Sequence, residues 1–249
     1  MSHMGGDTDN HKTRESFIPV NSWGKEIPVS EKLVGDNLEE IKKSIAPCKS
    51  RIIGVTKYFG LDAIVNGYKA GLRDFGESRV LEAVKKIQLL PKEIRINSTF
   101  HFIGHLQTNK AEKAVEYFDY IHSVDSLKLA KAISLAACRL NKREKVLLQV
   151  NNAKEEQKFG YDKQVLKFEL SEILELEGLQ VVGLMNIAPL GATEIDLKAL
   201  FADIKKLRDE IQSEFAIELP ELSMGMSDDY KIAVGEGATM IRIGRKLFK

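Results

Sequence analysis

The sequence contains little cysteine, no long apolar run and no excess of either charge. Its 249 residues include two cysteines, Cys48 and Cys138, whose separation fits no metal-ligand spacing. Lys and Arg total 37 against 36 Asp and Glu, which does not point to a nucleic acid or an anionic membrane. No apolar run approaches the roughly 20 residues that span a bilayer. These absences predict a protein of the reduced cytoplasm that holds no metal and has no nucleic-acid or membrane partner.

The amino terminus is polar and has no apolar signal-peptide region. Its first residues, MSHMGG, are typical of an expression-vector remnant. We therefore predict that residues 1–16 are this remnant and a disordered tail, and that residues 17–249 form one domain. Neither a linker nor a shift in composition marks a second domain, and the 43% hydrophobic content allows a substantial core.

Short β-branched runs alternate with longer amphipathic runs. The predicted strands are RIIGVTK, RDFGES, TFHFIGH, YIHSVD, KVLLQVN, LQVVGLMNI, ELSMGMS and TMIRIG. A helix precedes the first strand, and nearly every strand is followed by a helical run. Strict alternation predicts a parallel sheet, and eight units in about 250 residues is the size of a (β/α)8 TIM barrel. The main alternative is an open doubly wound sheet, which the lack of a GxGxxG turn disfavours.

Polar residues collect where the predicted strands end, which in a barrel is the edge that carries the site. They are Lys57, Glu77, Ser78, His105, Ser123, Asp125, Asn151, Asn186, Ser223, Ser227 and Arg242. The alternative for any one of them is that a strand end simply meets a polar loop. His105 is left open between a site residue and a structural histidine.

Lys57 ends an apolar row, because Ile53, Val55 and Lys57 share one face of a strand with period two. An amine at the barrel mouth is a candidate nucleophile that forms a Schiff base with a carbonyl compound. The alternative is a lysine that has run out into water.

The last two strands carry the glycine- and serine-rich stretches SMGMS and GEGATMIRIG. Barrels often bind phosphate between these strands through backbone N–H groups. Gly225 and Gly244 would let the backbone approach a phosphate, or would merely form tight turns. Ser227 would contact the phosphate, or would cap the helix that begins at DDYKIAV.

Arg242 alternates with Ile241 and Ile243 and is predicted to face the barrel interior. A buried guanidinium needs an acceptor. The acceptor is either a carboxylate such as Glu77 or a cofactor nitrogen. Because arginine keeps its proton, it would leave a pyridine nitrogen unprotonated and weaken the ring as an electron sink.

Several strings together resemble the pyridoxal-phosphate homeostasis protein family. The likeness covers about residues 30–248 and is carried by VTK, FGES, HFIGHLQTNK, HSVDS, QVN, KFG, GLM and LSMGMSDDYKIAVGEGATMIRIG. The resemblance implies the type III pyridoxal-phosphate fold, a single barrel like the amino-terminal part of alanine racemase without that enzyme's carboxyl-terminal β-domain. It also implies pyridoxal 5'-phosphate (PLP) as cofactor, held as a Schiff base on Lys57.

The same resemblance implies the other cofactor contacts. Ser227 and the backbone around Gly244 would hold the phosphate, and Arg242 would face the pyridine nitrogen. The residues implied to shape the pocket are Asn151, Met185, Ser223, Met224 and Gly225. Three positions depart from the family pattern, namely Ser78 for the usual Asn, Asn186 for a common Thr, and Phe100 for a Trp. They put pocket details in doubt rather than cofactor binding, and we expect Ser78 to reach the cofactor through water.

Two functions follow from these residues. The first is a monomeric carrier without established catalysis that buffers PLP and delivers it to apo-PLP enzymes. The second is a PLP-dependent amino-acid racemase, which needs a second base opposite Lys57. The racemase base comes from the β-domain that this chain is expected to lack, and Tyr58, Tyr161 and Tyr230 are the possible substitutes. A cofactor-free Schiff-base aldolase is disfavoured by the predicted phosphate site.

Overall fold

The structure is a computed structural model that describes residues 28–153 and 159–249. The predicted tail, residues 1–16, lies outside the described residues, as do residues 17–27 at the start of the predicted domain. That part of the domain prediction therefore stays a prediction.

Eight parallel strands close into a barrel, in which each strand pairs with the next and the eighth returns to the first. The strands are β1 Arg51–Val55, β2 Asp74–Glu77, β3 Thr99–Phe102, β4 Tyr120–Val124, β5 Glu144–Gln149, β6 Leu179–Met185, β7 Glu221–Met226 and β8 Met240–Ile243. The predicted (β/α)8 barrel is confirmed, and the open-sheet alternative is wrong. Each strand stops one to three residues before the end that the sequence predicted, so residues such as Lys57, Ser78 and Ser227 lie in the loops at the carboxyl edge.

Helices surround the barrel. They are α1 Glu31–Ile45, α2 Leu61–Lys69, α3 Val80–Leu89, α4 Lys92–Ile96, α5 Ala111–Tyr117, α6 Leu127–Arg139, α7 Lys163–Leu174, α8 Glu194–Phe215, α9 Tyr230–Gly235 and α10 Arg245–Phe248. The short helices α4 and α10 were not predicted, because neither has a full amphipathic repeat. A one-turn 3-10 helix at Thr108–Lys110 leads into α5. None of the described helices is long and apolar enough to cross a membrane.

Side-chain caps fix where the longer helices begin. Ser30 accepts from the N–H of Leu33 before α1, and Ser126 accepts from that of Leu129 before α6. Thr193 and Asp196 form a reciprocal capping box at the start of α8. Such caps satisfy N–H groups that have no partner inside the helix.

Alternation along the strands separates two hydrophobic clusters. In β1, Ile52 packs outward against the helices and Ile53 packs into the barrel. The interior cluster contains Ile53, Tyr120, Leu147, Val182, Met185 and Met240. The interior is thus a filled core, and the site has to form above it at the carboxyl edge.

Candidate functional site

Lys57 lies two residues beyond β1, at the carboxyl edge of the barrel. Its row is as the sequence predicts, since Ile53 is in the interior and a Cβ placed on Gly76 would meet both Ile53 and Val55. The side chain is half-buried, and its Nζ lies 5.0 Å from the centre of the Tyr58 ring. No described carboxylate forms an ion pair with this amine, so it is available to a ligand.

A buried cluster anchors the backbone beside Lys57. Lys86 reaches in from α3, and its Nζ donates to Glu77 Oε1 at 2.9 Å and to the carbonyl of Thr56 at 2.8 Å. The Thr56 hydroxyl donates to the same Glu77 oxygen at 2.8 Å. All three residues are buried, and a buried pair with satisfied hydrogen bonds is costly to break. These hydrogen bonds therefore fix the position of Thr56, the residue that precedes Lys57.

Arg242 faces the barrel interior, as its alternation predicts, but its acceptor is not Glu77. Glu77 pairs with Lys86, whereas Arg242 donates to the carbonyl and hydroxyl of Ser223 at 2.8 and 2.7 Å and to the carbonyl of Asn186 at 2.8 Å. Its side chain forms no ion pair with any described carboxylate, and burial lowers the pKa of the guanidinium to about 10. The buried guanidinium of Arg242 is thus stabilised by neutral hydrogen-bond acceptors rather than by a described carboxylate.

The end of β7 and the turn after β8 are the segments predicted to bind phosphate. Gly225 has φ +90°, and a Cβ there would lie 2.6 Å from the Cβ of Ala233, so this position requires glycine. The position of Gly244 does not require glycine in this way, because a Cβ there would approach no atom closer than 3.6 Å. Both glycines bring backbone to the edge where Ser227 stands.

Ser227 does not cap the helix that begins within DDYKIAV, because α9 starts at Tyr230 and the residue at its N-cap position is Asp229. The Ser227 hydroxyl instead accepts from the backbone N–H of Gly244 at 3.3 Å and of Lys246 at 3.5 Å. These bonds are long, and they join the β7 loop to the turn after β8. The hydroxyl and two N–H groups therefore converge between the last two strands.

The pocket residues implied by the resemblance divide into two groups. Met185 lies in the interior cluster, and Ser223 is bound to Arg242. Asn151 follows β5, and its N–H donates to the carbonyl of Tyr161 at 3.0 Å. The side chain of Met224, by contrast, packs in the outer core, so Met224 can serve the interior only through its backbone.

Ser78 lines a separate cavity of about 400 Å³ between the ends of β2 and β3. Arg79, His105, Gln107 and Lys110 also line this cavity, whereas Lys57, Ser227 and Arg242 do not. His105, left open above, stacks on Phe159 at 3.7 Å and its Nδ1 lies 3.4 Å from Asp125 Oδ2. It therefore belongs to the rim rather than to the interior.

Two of the three tyrosines considered as a second base are buried. Tyr161 is buried, and burial raises the pKa of its phenol above the ordinary value. The Tyr230 hydroxyl lies 2.8 Å from the hydroxyl of Ser44 on α1, on the outer side of the barrel. Tyr58 is exposed beside Lys57. Neither buried phenol is suited to accept a substrate proton.

The residues present fit a phosphorylated aromatic aldehyde. The groups suited to it are the amine of Lys57, which has no ion pair with a described carboxylate, the buried guanidinium of Arg242 and the hydroxyl of Ser227. They lie on β8 or in the loops that follow β1 and β7, and β1 pairs with β8 so that Ile53 is opposite Arg242. The buried Asn186 Oδ1 accepts no hydrogen bond within the described residues. No group of His, Cys, Asp or Glu in the described chain could hold a metal ion.

Sequence reasoning missed three residues that support this arrangement, namely Thr56, Lys86 and His122. Thr56 and Lys86 form the anchor below Lys57, and His122 Nδ1 lies 2.9 Å from the Ser223 hydroxyl. The alternation of YIHSV could have placed His122 in the interior with Tyr120. No sequence signal distinguishes Lys86 from its exposed neighbour Lys85 on α3.

Comparison with known proteins gives consistent matches. The family described as "Alanine racemase, N-terminal domain" matches residues 29–249. A pyridoxal phosphate homeostasis protein of Synechocystis is 45% identical over 202 residues, which cover 81% of this chain and 92% of the relative. Another of that name, from Aquifex aeolicus, is 40% identical over 199 residues, covering 80% of this chain and 86% of the relative.

Solved structures share the fold. PipY of Synechococcus elongatus, solved with PLP bound, has a TM-score of 0.80 and 41% identity over 87% of this chain and 100% of its own. An alanine racemase of Clostridium difficile has a TM-score of 0.71 with 16% identity, and the match covers 88% of this chain but 57% of the racemase. At that identity the racemase is evidence for the fold alone.

Proposed function

The chain belongs to the pyridoxal phosphate homeostasis protein family, and we propose that it binds PLP and holds it as a Schiff base on Lys57 without turning over a substrate. The observation that carries the proposal is the half-buried Lys57 amine, which has no carboxylate partner among the described residues and follows a strand paired with that of Arg242. PipY, a relative solved with PLP bound, supports the choice of cofactor.

Each candidate residue has a defined task in this proposal. The Lys57 nitrogen bonds to the aldehyde carbon and water leaves, which is the chemistry that an aldehyde cofactor supplies. Ser227 and the N–H groups of Gly244 and Lys246 hold the phosphate. Hydrogen bonds to the phosphate replace the long bonds that the two N–H groups make to the Ser227 hydroxyl. Arg242 donates toward the ring nitrogen and leaves it unprotonated.

The remaining proposed contacts are less direct. Met185 and Ser223 form the floor of the site, the latter through Arg242. Asn151 and the backbone of Met224 and Gly225 border it. Ser78 contributes only through water, since it lines the neighbouring cavity.

Noncatalytic holding is consistent with an unprotonated ring nitrogen, which makes the ring a weak electron sink. It is also consistent with the two buried phenols, which leave no prepared second base among Tyr161 and Tyr230. We further propose a cytoplasmic monomer that passes PLP to apo-PLP enzymes through amine exchange at Lys57. Light scattering would test the monomer, for which the expected mass is 27.9 kDa.

Replacing Lys57 tests the covalent link. After incubation with PLP and borohydride, wild-type protein should retain about one pyridoxyl group, whereas Lys57→Ala should retain none. Lys110→Ala is the matched control, because Lys110 lies at the same edge and lines the separate cavity. Intact-mass spectrometry measures the label. Full labelling of Lys57→Ala would show that the Schiff base forms elsewhere.

A further inference from the structure

A chain of hydrogen bonds runs through the barrel interior beneath Arg242. Arg242 donates to Ser223 Oγ at 2.7 Å, and Ser223 Oγ lies 2.9 Å from His122 Nδ1. His122 Nε2 lies 2.9 Å from His101 Nδ1, and His101 Nε2 lies 2.9 Å from Asp74 Oδ1. Four links thus join β8 to the start of β2.

This chain crosses the interior rather than following the sheet. His122 is on β4 and Ser223 is on β7, and these strands are not neighbours in the barrel. His101, His122 and Ser223 are fully buried, while the Asp74 side chain is 18% exposed at the amino edge. The chain therefore connects the floor of the candidate site to the opposite end of the molecule.

The carboxylate end fixes the direction of every link when both imidazoles are neutral. Asp74 can only accept, so His101 carries its proton on Nε2 and accepts at Nδ1 from His122 Nε2. His122 Nδ1 is then bare and accepts the proton of the Ser223 hydroxyl. Arg242 can only donate, and the Ser223 oxygen accepts from it while donating to His122, so the arginine end is compatible with the same direction.

Neutral imidazoles are consistent with the surroundings. Burial lowers the pKa of His101, and burial with the neighbouring His101 lowers that of His122 well below the ordinary value. The charged groups that act on the pair are Asp74, Asp119, Arg51 and Arg242. A neutral ring has one donor and one acceptor, which is what each link requires.

We propose that Asp74, His101, His122 and Ser223 form a one-way hydrogen-bond chain that positions Arg242 and stabilises its buried charge from a carboxylate at the far end of the barrel. Every donor points away from Arg242, so each link is polarised toward Asp74. These four are positioning residues, and their role toward a cofactor rests on the proposed PLP function. The chain itself exists without the cofactor.

Nitrogen-15 NMR of histidine-labelled, ligand-free protein tests the chain directly. We expect His101 and His122 each to show a protonated Nε2 and a bare Nδ1, unchanged over the range of about pH 5.5 to 8 in which ordinary histidines titrate. A proton on Nδ1 of either neutral ring, or ordinary titration of either ring, would overturn the proposal.

Two replacements of His122 test its effect on binding. His122→Leu removes both links and should weaken PLP binding about tenfold or more, because the Ser223 hydroxyl that accepts from Arg242 loses the partner that orients it. His122→Gln supplies an acceptor and a donor and should restore affinity to within about threefold. Tyr120→Phe is the control, since its ring stacks on His101 at 4.8 Å outside the chain.

The outcomes separate this inference from the proposed function. Equal PLP affinity in wild type and His122→Leu would overturn the positioning role, even if the NMR result holds. If wild type binds no PLP, the function is wrong while the NMR still decides the chain. If His122→Leu does not fold, the wild-type tautomers and His122→Gln carry the test.

Discussion

At the scale of single residues, Glu144 is a buried carboxyl at the amino edge of the barrel. It begins β5, its side chain is fully buried, and Lys142 Nζ lies 2.7 Å from Oε2. Oε1 accepts no hydrogen bond within the described residues. Burial raises the pKa of this carboxyl from 4.5 to about 7, and Lys142 offsets only part of the shift.

This shift makes stability depend on pH. Because the folded state binds the proton more tightly than the unfolded state, stability should fall as pH rises from about 4.5 to about 7. Glu144→Gln removes the ionisable group, so the variant should gain stability over wild type by about 1–3 kcal/mol at pH 8 and by much less near pH 5. Urea unfolding at the two pH values measures the difference.

The control for this prediction is Glu218→Gln, since Glu218 is exposed. Its stability relative to wild type should be nearly the same at both pH values. A Glu144→Gln gain that did not grow with pH would mean that this carboxyl is already ionised at little cost in the folded protein.

At the scale of elements, the end of β7, which leads into the turn before α9, depends on one glycine. Gly225→Ala would introduce a Cβ at φ +90° that lies 2.6 Å from the Cβ of Ala233 and 3.0 Å from the Cα of Tyr230. The variant should lose about 1–3 kcal/mol of stability and bind PLP more weakly, because the turn that presents Ser227 must shift. Thermal unfolding and PLP titration measure the two effects.

Gly244→Ala is the matched control on the neighbouring strand. Its φ is −106° and its added Cβ has no neighbour closer than 3.6 Å, so it should cost less than about 1 kcal/mol. Equal losses in the two variants would contradict the account of this turn.

The elements with a full repeat were predictable from the sequence, whereas the short ones were not. Alternation in RIIGVTK placed Ile53 correctly on the interior face, and the long amphipathic run of α8 was found almost to its ends. Helix α10 spans only Arg245–Phe248, and the ring centre of its Phe248 lies 5.2 Å from that of Phe59. A single turn has too few residues to show a period, so only the tertiary contact reveals it.

At the scale of the whole molecule, the closed barrel brings distant residues together in ways that local pattern cannot show. His122 and Ser223 are 101 residues apart in sequence, and their hydrogen bond crosses the interior. The sequence predicted that Arg242 points inward, but it could not decide between Glu77 and other acceptors. That choice depended on Lys86, which lies on helix α3 outside the barrel and forms the ion pair with Glu77.

Residues from most strands lie at the carboxyl edge of the barrel. The sequence predicted the positions of some of them better than those of others. Lys57, Ser227 and Arg242 were predicted to lie at this edge because each ends or follows a strand with a clear period. Ser78 and His105 follow strands equally well, yet they line a separate cavity. Position after a strand therefore predicts the edge of the barrel, while the direction of each side chain depends on loops whose course the sequence does not specify.

Peptide mapping of the wild-type protein tests the central claim most directly. The protein is incubated with PLP, reduced with borohydride, digested and analysed by tandem mass spectrometry. The account predicts one pyridoxyl group, on Lys57, with a visible absorption band that disappears on reduction. A label on another lysine, or no label and no band, would contradict it.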